Sequence, residues 1–284
     1  MAILSIQSHV AYGHVGNASA VFPMQRLGVE VWPIHTVQFS NHTGYGAWRG
    51  EVFGAGLIAD CVLGIEERGV LQQCEAVLSG YMGSSETGQA ILDAVARVRA
   101  ANPQALYACD PVIGDVGRGI FVRPGIPEFM REKAVPAADI ITPNQFELAY
   151  LAGTEITSRD DLAVALSAVH AMGPQVILVT SLMLEDTPAD ALDLAVSTGA
   201  GTLFRLRTPK LDCNVNGAGD AIAALFLVHM LRTADPALAM QLSASSIHGL
   251  LVKTVAAGSR EILTVTAQQE FVTPSRIFPV ENLG

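Results

Sequence analysis

Short apolar runs alternate along the chain with longer segments in which apolar positions recur at helical spacing. The runs have the length of buried strands, which are predicted at Ala2–Ile6, Val29–His35, Ala76–Ser79, Ala105–Cys109, Asp139–Ile141 and Val176–Thr180. Helices are predicted between them at Asn17–Leu27, Leu57–Arg68, Thr87–Ala101, Ile126–Lys133 and Ser158–Met172, with another after Pro143 that ends at Gly153. This alternation indicates an α/β fold whose central, mostly parallel sheet is covered by helices on both faces.

The last third of the chain departs from this alternation. A hairpin is predicted from Ala191–Val196 and Thr202–Leu206, and two helices, Gly217–Arg232 and Pro236–Ala257, follow it. No repeat, low-complexity linker or shift in composition divides the chain, so we expect one domain over residues 1–284. Ligands of such sheets bind beyond the carboxyl ends of the strands, and the loops there are the candidates for chemistry.

Composition excludes several classes of protein. Half of the residues are hydrophobic and 15% are charged, which is unlike a disordered chain. The formal net charge is −10 and no cluster of Lys or Arg occurs, which disfavours nucleic-acid and anionic-membrane partners. No apolar run approaches the ~20 residues of a membrane span, and the opening residues resemble a strand more than a signal peptide. The four cysteines are widely separated and predict reduced thiols in a soluble, cytoplasmic protein.

The segment "NGAGD", Asn216 to Asp220, carries the first candidate chemistry. Gly217 and Gly219 let successive backbone N–H groups converge, and the helix that starts there adds about half a positive charge. A transferring phosphoryl group fits such a site, and Asp220 beside it can accept the proton of an attacking hydroxyl. An ordinary helix N-terminus with an acidic first turn explains the same letters.

Two common nucleotide-binding motifs are missing. No G-x-x-x-x-G-K-[ST] segment occurs, which excludes a P-loop enzyme. Ile222 stands where a G-x-G-x-x-G motif starting at Gly217 needs its last glycine, and these glycines come late in the chain.

Two carboxylates follow predicted strands and form a second constellation. Asp110 lies in "CDPVIGD" and Glu147 in "ITPNQFE", where Asn144 adds an amide. Carboxylates that face a nucleotide commonly hold Mg²⁺, directly or through water. Alternatively, Asp110 belongs to a turn and Glu147 is an exposed helix residue.

Together these motifs resemble the ribokinase-like superfamily, and within it the bacterial pyridoxal kinase (pyridoxamine kinase) family. The similarity spans nearly the whole chain and keeps the family's order through "SIQSHVAYGHVGNASAVFPMQRLG", "WPIHTVQFSNHTGYGAW", "VLSGYMGS", "CDPVIGD", "ITPNQFE" and "NGAGDAIAALF". Several separated motifs in the same order are far more specific than any one of them. The resemblance implies a ribokinase-like three-layer α/β/α sandwich, usually found as a homodimer.

The resemblance also implies residue roles for a transfer of phosphate from ATP to the 5′-hydroxyl of pyridoxal, with pyridoxamine and pyridoxine as further acceptors. Asp220 would be the general base, and the N–H groups of Gly217, Ala218 and Gly219 the anion hole. The pyridine ring would be held by Ser8, Thr43, Gly44 and Tyr81. ATP would be bound by Asp110, Thr142, Asn144, Glu147, Thr180, Arg207, Thr208, Pro209 and Lys210, with Asp110 and Glu147 facing Mg²⁺.

One position departs from the family's pattern. Related kinases often carry Lys after the strand that reads "VILV" in this chain, where Thr180 and Ser181 stand instead. A hydroxyl offers phosphate only a neutral hydrogen bond, so nucleotide affinity or choice is in question, and Lys210 is one candidate replacement. Two alternatives stay open: a kinase of another alcohol, such as hydroxymethylpyrimidine or a sugar, and a non-catalytic vitamin B6-binding protein.

Overall fold

The computed structural model describes all residues, Met1 to Gly284, around one large sheet. The strands are β1 (Ala2–Val10), β2 (Glu30–Phe39), β3 (Gly50–Val52), β4 (Cys74–Ser79), β5 (Leu106–Cys109), β6 (Gly114–Asp115), β7 (Gly119–Ile120), β8 (Ile140–Ile141), β9 (Val176–Leu182), β10 (Ala191–Thr198), β11 (Leu203–Pro209) and β12 (Val280–Asn282). Ten of them form the sheet in the order β12-β11-β10-β9-β8-β5-β4-β1-β2-β3, and β6 and β7 form a separate small hairpin.

The centre of the sheet is parallel and its two sides are antiparallel. Strands β2, β1, β4, β5, β8 and β9 pair in parallel along the order of the sheet. Strand β3 pairs antiparallel with β2 on one side, and β10, β11 and β12 continue antiparallel from β9 on the other. Because the six central strands point the same way, their carboxyl ends meet at one edge.

Helices cover both faces of the sheet. They are α1 (Asn17–Arg26), α2 (Ala55–Glu66), α3 (Ser85–Ala101), α4 (Ile126–Phe129), α5 (Val135–Ala137), α6 (Gln145–Ala152), α7 (Arg159–His170), α8 (Ala218–Thr233), α9 (Pro236–Ala256) and α10 (Gln269–Val272). Buried side chains of α2 to α7 form the hydrophobic core on one face, and those of α1, α8, α9 and α10 form the core on the other. The predicted three-layer α/β/α architecture is confirmed.

The structure corrects several predicted boundaries. Strands β1 and β2 run three or more residues further than predicted, because their last residues keep ladder hydrogen bonds as the sequence turns polar. The predicted helix Ile126–Lys133 is instead α4, a π-helical turn over Met130–Ala134, and α5. The short strands β3, β6, β7 and β12 were not predicted, since two or three residues carry no periodicity.

Local capping chemistry fixes the helices where the sequence indicates. Asn144 and Glu147 form a capping box at the start of α6, and Ser158 and Asp161 form another at the start of α7, where the sequence predicts a helix from Ser158. None of the four cysteines forms a disulfide, as predicted, and one of them, Cys61, is exposed. Measured by length and hydropathy together, none of the helices qualifies as a bilayer-crossing segment.

Candidate active site

A cleft of about 580 Å³ opens at the edge where the parallel strands end. The last residues of β1, β2 and β9 line it, together with residues that follow β5 and β8, the loop after β2 and the start of α8. Of the residues predicted for the site, the lining includes Ser8, Thr43, Tyr81, Asp110, Thr142, Asn144, Glu147, Thr180, Gly217, Ala218, Gly219 and Asp220. Segments more than 200 residues apart therefore meet in one cavity.

The glycine turn before α8 has the conformation that an anion site needs. Gly217 has φ +88°, in the left-handed region, and a Cβ there would lie 1.7 Å from the carbonyl oxygen of His14. The hydroxyl of Ser19 donates to the carbonyl oxygen of Gly217 at 2.7 Å and fixes the turn against α1. With this carbonyl turned away, the first amides of α8 are free to face the cleft.

Asp220 lies in the first turn of α8, beside those amides. Protein surrounds its carboxylate on most sides, and this desolvation raises the pKa of Asp220 to about 6, although a backbone hydrogen bond with Gly16 opposes the shift. The group is therefore mostly ionised at neutral pH while its proton affinity exceeds that of an exposed aspartate. These are the properties of a general base for an alcohol.

Asp110 is a second buried carboxylate on the same cleft, directly after β5. Its Oδ1 accepts a hydrogen bond from the Thr142 hydroxyl at 2.9 Å, and the residue is 7% exposed. Burial, followed by the charge of Asp220, raises the pKa of Asp110 to about 7. Two neighbouring carboxylates that disfavour each other's ionisation are stabilised in their charged form by a bound cation.

Both carboxylate oxygens of Glu147 already accept hydrogen bonds, which the sequence does not indicate. Its Oε1 accepts from the Ile113 amide at 2.9 Å and its Oε2 from the Asn144 amide at 2.9 Å. The side chain of Asn144 in turn donates to the Gly114 carbonyl at 2.8 Å. Glu147 thus fastens the loop after β5 to α6, while burial and then the charge of Asp110 raise its own pKa to about 8.

The other end of the cleft is apolar and suits a flat ring. Val10, Val37, Phe39, Trp48 and Tyr81 line it. The rings of Phe39 and Trp48 lie 4.0 Å apart between centroids. Three polar side chains, from Ser8, His42 and Thr43, border this apolar part.

Two arginines on the cleft were missed by the sequence analysis. Arg118 and Arg123 flank β7, are exposed, and are the only Lys or Arg residues in the lining. The guanidinium of Arg118 rests over the ring of Phe121 at 5.0 Å. The available signal was the string "DVGRGIFVR", which places two cations just after the Asp110 motif in a chain that has few of them.

Glu261 was also missed, because nothing near it in sequence suggests a site. Its Oε1 accepts from the Tyr45 hydroxyl at 2.6 Å and its Oε2 from the His14 amide at 3.0 Å. The same residue forms an isolated bridge with Asn216, next to the glycine turn. Through its carboxylate and its backbone, Glu261 therefore connects three loops around the cleft.

Some residues predicted for the site lie outside the lining. Gly44 is exposed in the short 3₁₀ turn Thr43–Tyr45, and its amide donates to Nδ1 of His42. Arg207, Thr208, Pro209 and Lys210 lie at the end of β11 and just beyond it, and do not line the cleft. The guanidinium of Arg207 forms two hydrogen bonds, of 2.6 and 2.7 Å, with the buried carboxylate of Asp193. That carboxylate holds the cation of Arg207 to the sheet.

Position 180 lines the cleft with a neutral side chain. The amide of Thr180 donates to the Pro143 carbonyl at 2.9 Å, and Ser181 follows with φ +52°. Lys210 does not line the cleft; its ammonium group lies 3.5 Å from the sulfur of Met183. The cations that line the cleft are therefore those of Arg118 and Arg123.

The carboxylates of the cleft suit a divalent metal that is held partly by the substrate. No group of three His, Cys, Asp or Glu side chains forms a complete metal site. Mg²⁺ needs none, since it commonly takes one or two carboxylates together with water and phosphate oxygens. Asp110 has an oxygen left for such a contact, whereas both oxygens of Glu147 accept backbone hydrogen bonds.

Fold and cleft together define a class: an α/β small-molecule kinase of the ribokinase-like type. The profile of the phosphomethylpyrimidine kinase family matches residues 62–265. A pyridoxal kinase of Granulibacter bethesdensis is 61% identical over 98% of both chains, and one of Rubrobacter xylanophilus is 56% identical over 99% of this chain and 97% of its own. The chain therefore belongs to the phosphomethylpyrimidine kinase family, and within it to the pyridoxal kinases.

Solved structures agree with this membership. A pyridoxal kinase from Leishmania donovani, in complex with ADP and ginkgotoxin, has a TM-score of 0.93 and 29% identity, and the match covers 100% of this chain and 99% of that one. A structure of the same enzyme with ADP and pyridoxamine has a TM-score of 0.92 over the same share of each chain. The predicted family is confirmed.

Proposed function

We propose that this chain transfers the γ-phosphoryl group of ATP to the 5′-hydroxyl of pyridoxal, giving pyridoxal 5′-phosphate and ADP. Pyridoxamine and pyridoxine are further acceptors under this proposal, which makes the protein an enzyme of vitamin B6 salvage. Its relatives at 50–61% identity over nearly their whole length are pyridoxal kinases. The observation that carries the proposal is the meeting of Asp220, the Gly217 turn and an apolar ring-sized pocket in one cleft.

Asp220 is the proposed general base. The 5′-oxygen attacks the γ-phosphorus as its proton passes to the Asp220 carboxylate, and the bond from phosphorus to the bridging oxygen of ADP breaks. The amides of Gly217, Ala218 and Gly219 stabilise the negative charge of the phosphoryl oxygens in the transition state. A base with a pKa of about 6 is ionised at neutral pH and is stronger than an exposed aspartate.

The apolar end of the cleft is the proposed ring site. Tyr81 and the valines of β1 and β2 cover the faces of the pyridine ring, and Ser8 and Thr43 bind its polar substituents. Gly44 contributes through the conformation of its turn, since it is not part of the lining.

The proposed nucleotide site lies at the other end, over the ends of β5, β8 and β9. Asp110, Thr142, Asn144 and Thr180 face the phosphates there, and Glu147 shapes the loop that carries them. When bound, Mg²⁺ would neutralise phosphate charge, with Asp110 as its proposed direct ligand and Glu147 holding the loop that follows Asp110. For Arg207 to Lys210 we keep a contact with the outer part of the nucleotide as a proposal.

The direct experiment is a turnover assay with purified protein, ATP, MgCl₂ and pyridoxal. We expect pyridoxal 5′-phosphate to form in equal amount to ADP, followed by its absorbance and by coupled ADP detection. Binding of pyridoxal with no consumption of ATP would instead favour a protein that stores or delivers the vitamin.

Hydroxymethylpyrimidine is the second candidate acceptor, because the matching family profile is that of phosphomethylpyrimidine kinase. A panel of hydroxymethylpyrimidine, a sugar and the three B6 vitamers, compared by kcat/KM, separates these possibilities. We expect pyridoxal to have the highest value. A higher value for hydroxymethylpyrimidine would reassign the substrate.

The proposal also covers the domain organisation, the oligomeric state and the location of the protein. We infer one kinase domain over residues 1–284, since the sheet contains strands from both ends of the chain. We also propose a homodimer in the cytoplasm, as the family resemblance implies. Sedimentation velocity of the purified protein tests the dimer.

A further inference from the structure

A second cavity, of about 290 Å³, lies on the face of the sheet formed by α1, α8, α9 and α10. It shares no lining residue with the cleft. It lies at the opposite end of α8 from Asp220, against the last turn of that helix. Its volume is at the lower limit of small-molecule pockets, so only a compact ligand fits.

Two residues that line this cavity carry buried polar atoms with no hydrogen-bond partner in the protein. The atoms are Nε2 of His229 and the hydroxyl of Ser246, in residues 8% and 0% exposed. Buried polar groups in native proteins are paired in the great majority of cases, because an unpaired one costs about 1–3 kcal/mol. Burial also lowers the pKa of His229 to about 4, so its ring is neutral and offers one donor and one acceptor.

Two guanidinium groups border the same cavity without an acidic partner. Arg26 donates to the neutral side chains of Gln268 and Gln269, and Arg232 donates to the Leu27 carbonyl. Neither forms a salt bridge, although the chain carries ten more acidic than basic residues. Most of an arginine's donors are then available to a bound anion.

The remaining wall is apolar, with Leu242 and Phe271 among its residues. From these contacts we propose that this cavity binds a small organic anion, whose carboxylate or phosphate lies between Arg26 and Arg232 and whose apolar body packs on Phe271. His229 and Ser246 hydrogen-bond to the anion. The last turn of α8 presents partial negative charge, so the anion needs both guanidiniums to be held there.

The test monitors an NMR signal of His229, because this residue lines the second cavity and not the cleft. Full-length protein labelled at histidine is titrated with benzoate, phenyl phosphate and benzamide, and the imidazole NMR signal that disappears in His229→Asn is monitored. We expect a saturable shift with benzoate or phenyl phosphate, whichever head group the site takes, and none with neutral benzamide.

Matched arginine variants identify the charge contacts. Arg26→Gln and Arg232→Gln should each weaken the anion's binding at least about tenfold, the scale of one lost charge-assisted hydrogen bond. Arg276→Gln is the control, because Arg276 is exposed, lies over Phe278 and does not line the cavity. Three outcomes would overturn the proposal and show that the cavity holds only water: equal shifts with benzamide, no saturable shift with any probe, or equal weakening by Arg276→Gln.

Discussion

At the scale of single residues, the cleft contains carboxylates that are not alike. Asp220 keeps a pKa of about 6 beside helix amides, whereas Glu147 is buried and holds three backbone N–H groups. The environment of Asp110 is intermediate, because one of its carboxylate oxygens accepts a hydrogen bond from the Thr142 hydroxyl. Environment therefore divides three acids into a proposed base, a proposed metal ligand and a loop fastener.

Replacing the proposed base tests that division. Asp220→Asn should lower kcat by about 10²–10⁴ while ATP binding is largely kept, since the amide cannot accept the proton. For the native enzyme, kcat/KM for pyridoxal should fall as the pH drops below about 6, because the base is then protonated. The variant should lack this acid limb. Near-native turnover by the variant would show that another group is the base.

At the scale of elements, the hairpin of β6 and β7 carries Arg118 at the cleft, where the side chain of Thr180 supplies no charge. Arg118→Gln should raise the KM for ATP about tenfold, because a charge-assisted hydrogen bond to phosphate is lost, with a smaller effect on the KM for pyridoxal. Steady-state kinetics with both substrates varied measures this. Arg68→Gln, an equal charge change at an exposed site on a different loop, should leave both constants unchanged. An unchanged KM for ATP would remove Arg118 from the nucleotide site.

Glu261 acts between elements and is expected to position the substrate loop. Its hydrogen bond with Tyr45 raises the pKa of that tyrosine to about 12, and it also holds the His14 amide. Glu261→Gln can still accept from the His14 amide, but its amide nitrogen can only donate a weaker, neutral bond to the Tyr45 oxygen. We expect a threefold to tenfold rise, on the order of one hydrogen bond, in the KM for pyridoxal, with the KM for ATP kept.

Kinetics of Glu261→Gln, Tyr45→Phe and the double variant test this link between the loops. The two changes should be less than additive, because each removes the same contact. Additive effects would mean that the loops are held separately, and Glu67→Gln, on exposed surface, serves as the control.

At the scale of the whole molecule, the cleft is a source of instability. Burial raises the pKa of Asp110 to about 7 and of Glu147 to about 8, so the folded protein binds more protons than the unfolded chain between about pH 4 and pH 8. Stability from these groups is therefore present at low pH and is lost as the pH rises through 7 to 8.

Thermal unfolding of metal-free protein between pH 6.5 and pH 8 measures this loss. In that range His35 and His229, whose pKa values burial lowers to about 4, are neutral in the folded state and titrate only in the unfolded chain. Their contribution is the same in native protein and in Asp110→Asn, so it cancels when the two are compared. Asp110→Asn should raise the free energy of unfolding by about 1–3 kcal/mol at pH 8 and flatten its pH dependence. A destabilised variant with the native pH dependence of unfolding would show that ionised Asp110 does not destabilise the fold.

Much of the fold was predictable because its signals are local. The apolar runs of β1, β4 and β5 and the capping box at Ser158 are decided by neighbours within a few residues. The glycine turn at Gly217 was predictable for the same reason, since a left-handed φ such as its +88° favours glycine whatever packs against it.

Residues that act through distant contacts were not predictable. Glu261 lies 247 positions from His14 and 216 from Tyr45, so no window of the sequence contains both partners. Arg207 shows the converse, because its family role suggests a nucleotide contact while Asp193, paired across the neighbouring strand, takes its guanidinium.

The sequence by itself determined the order of strands and helices, the family, and the motifs that follow the strand ends, because side-chain periodicity, caps and turns depend on adjacent residues. Tertiary structure alone decided which cations reach the cleft, which carboxylates are already hydrogen-bonded, and where a second cavity lies. Those outcomes follow from burial and from contacts between segments far apart in the chain, and these exist only once the sheet has brought the segments together.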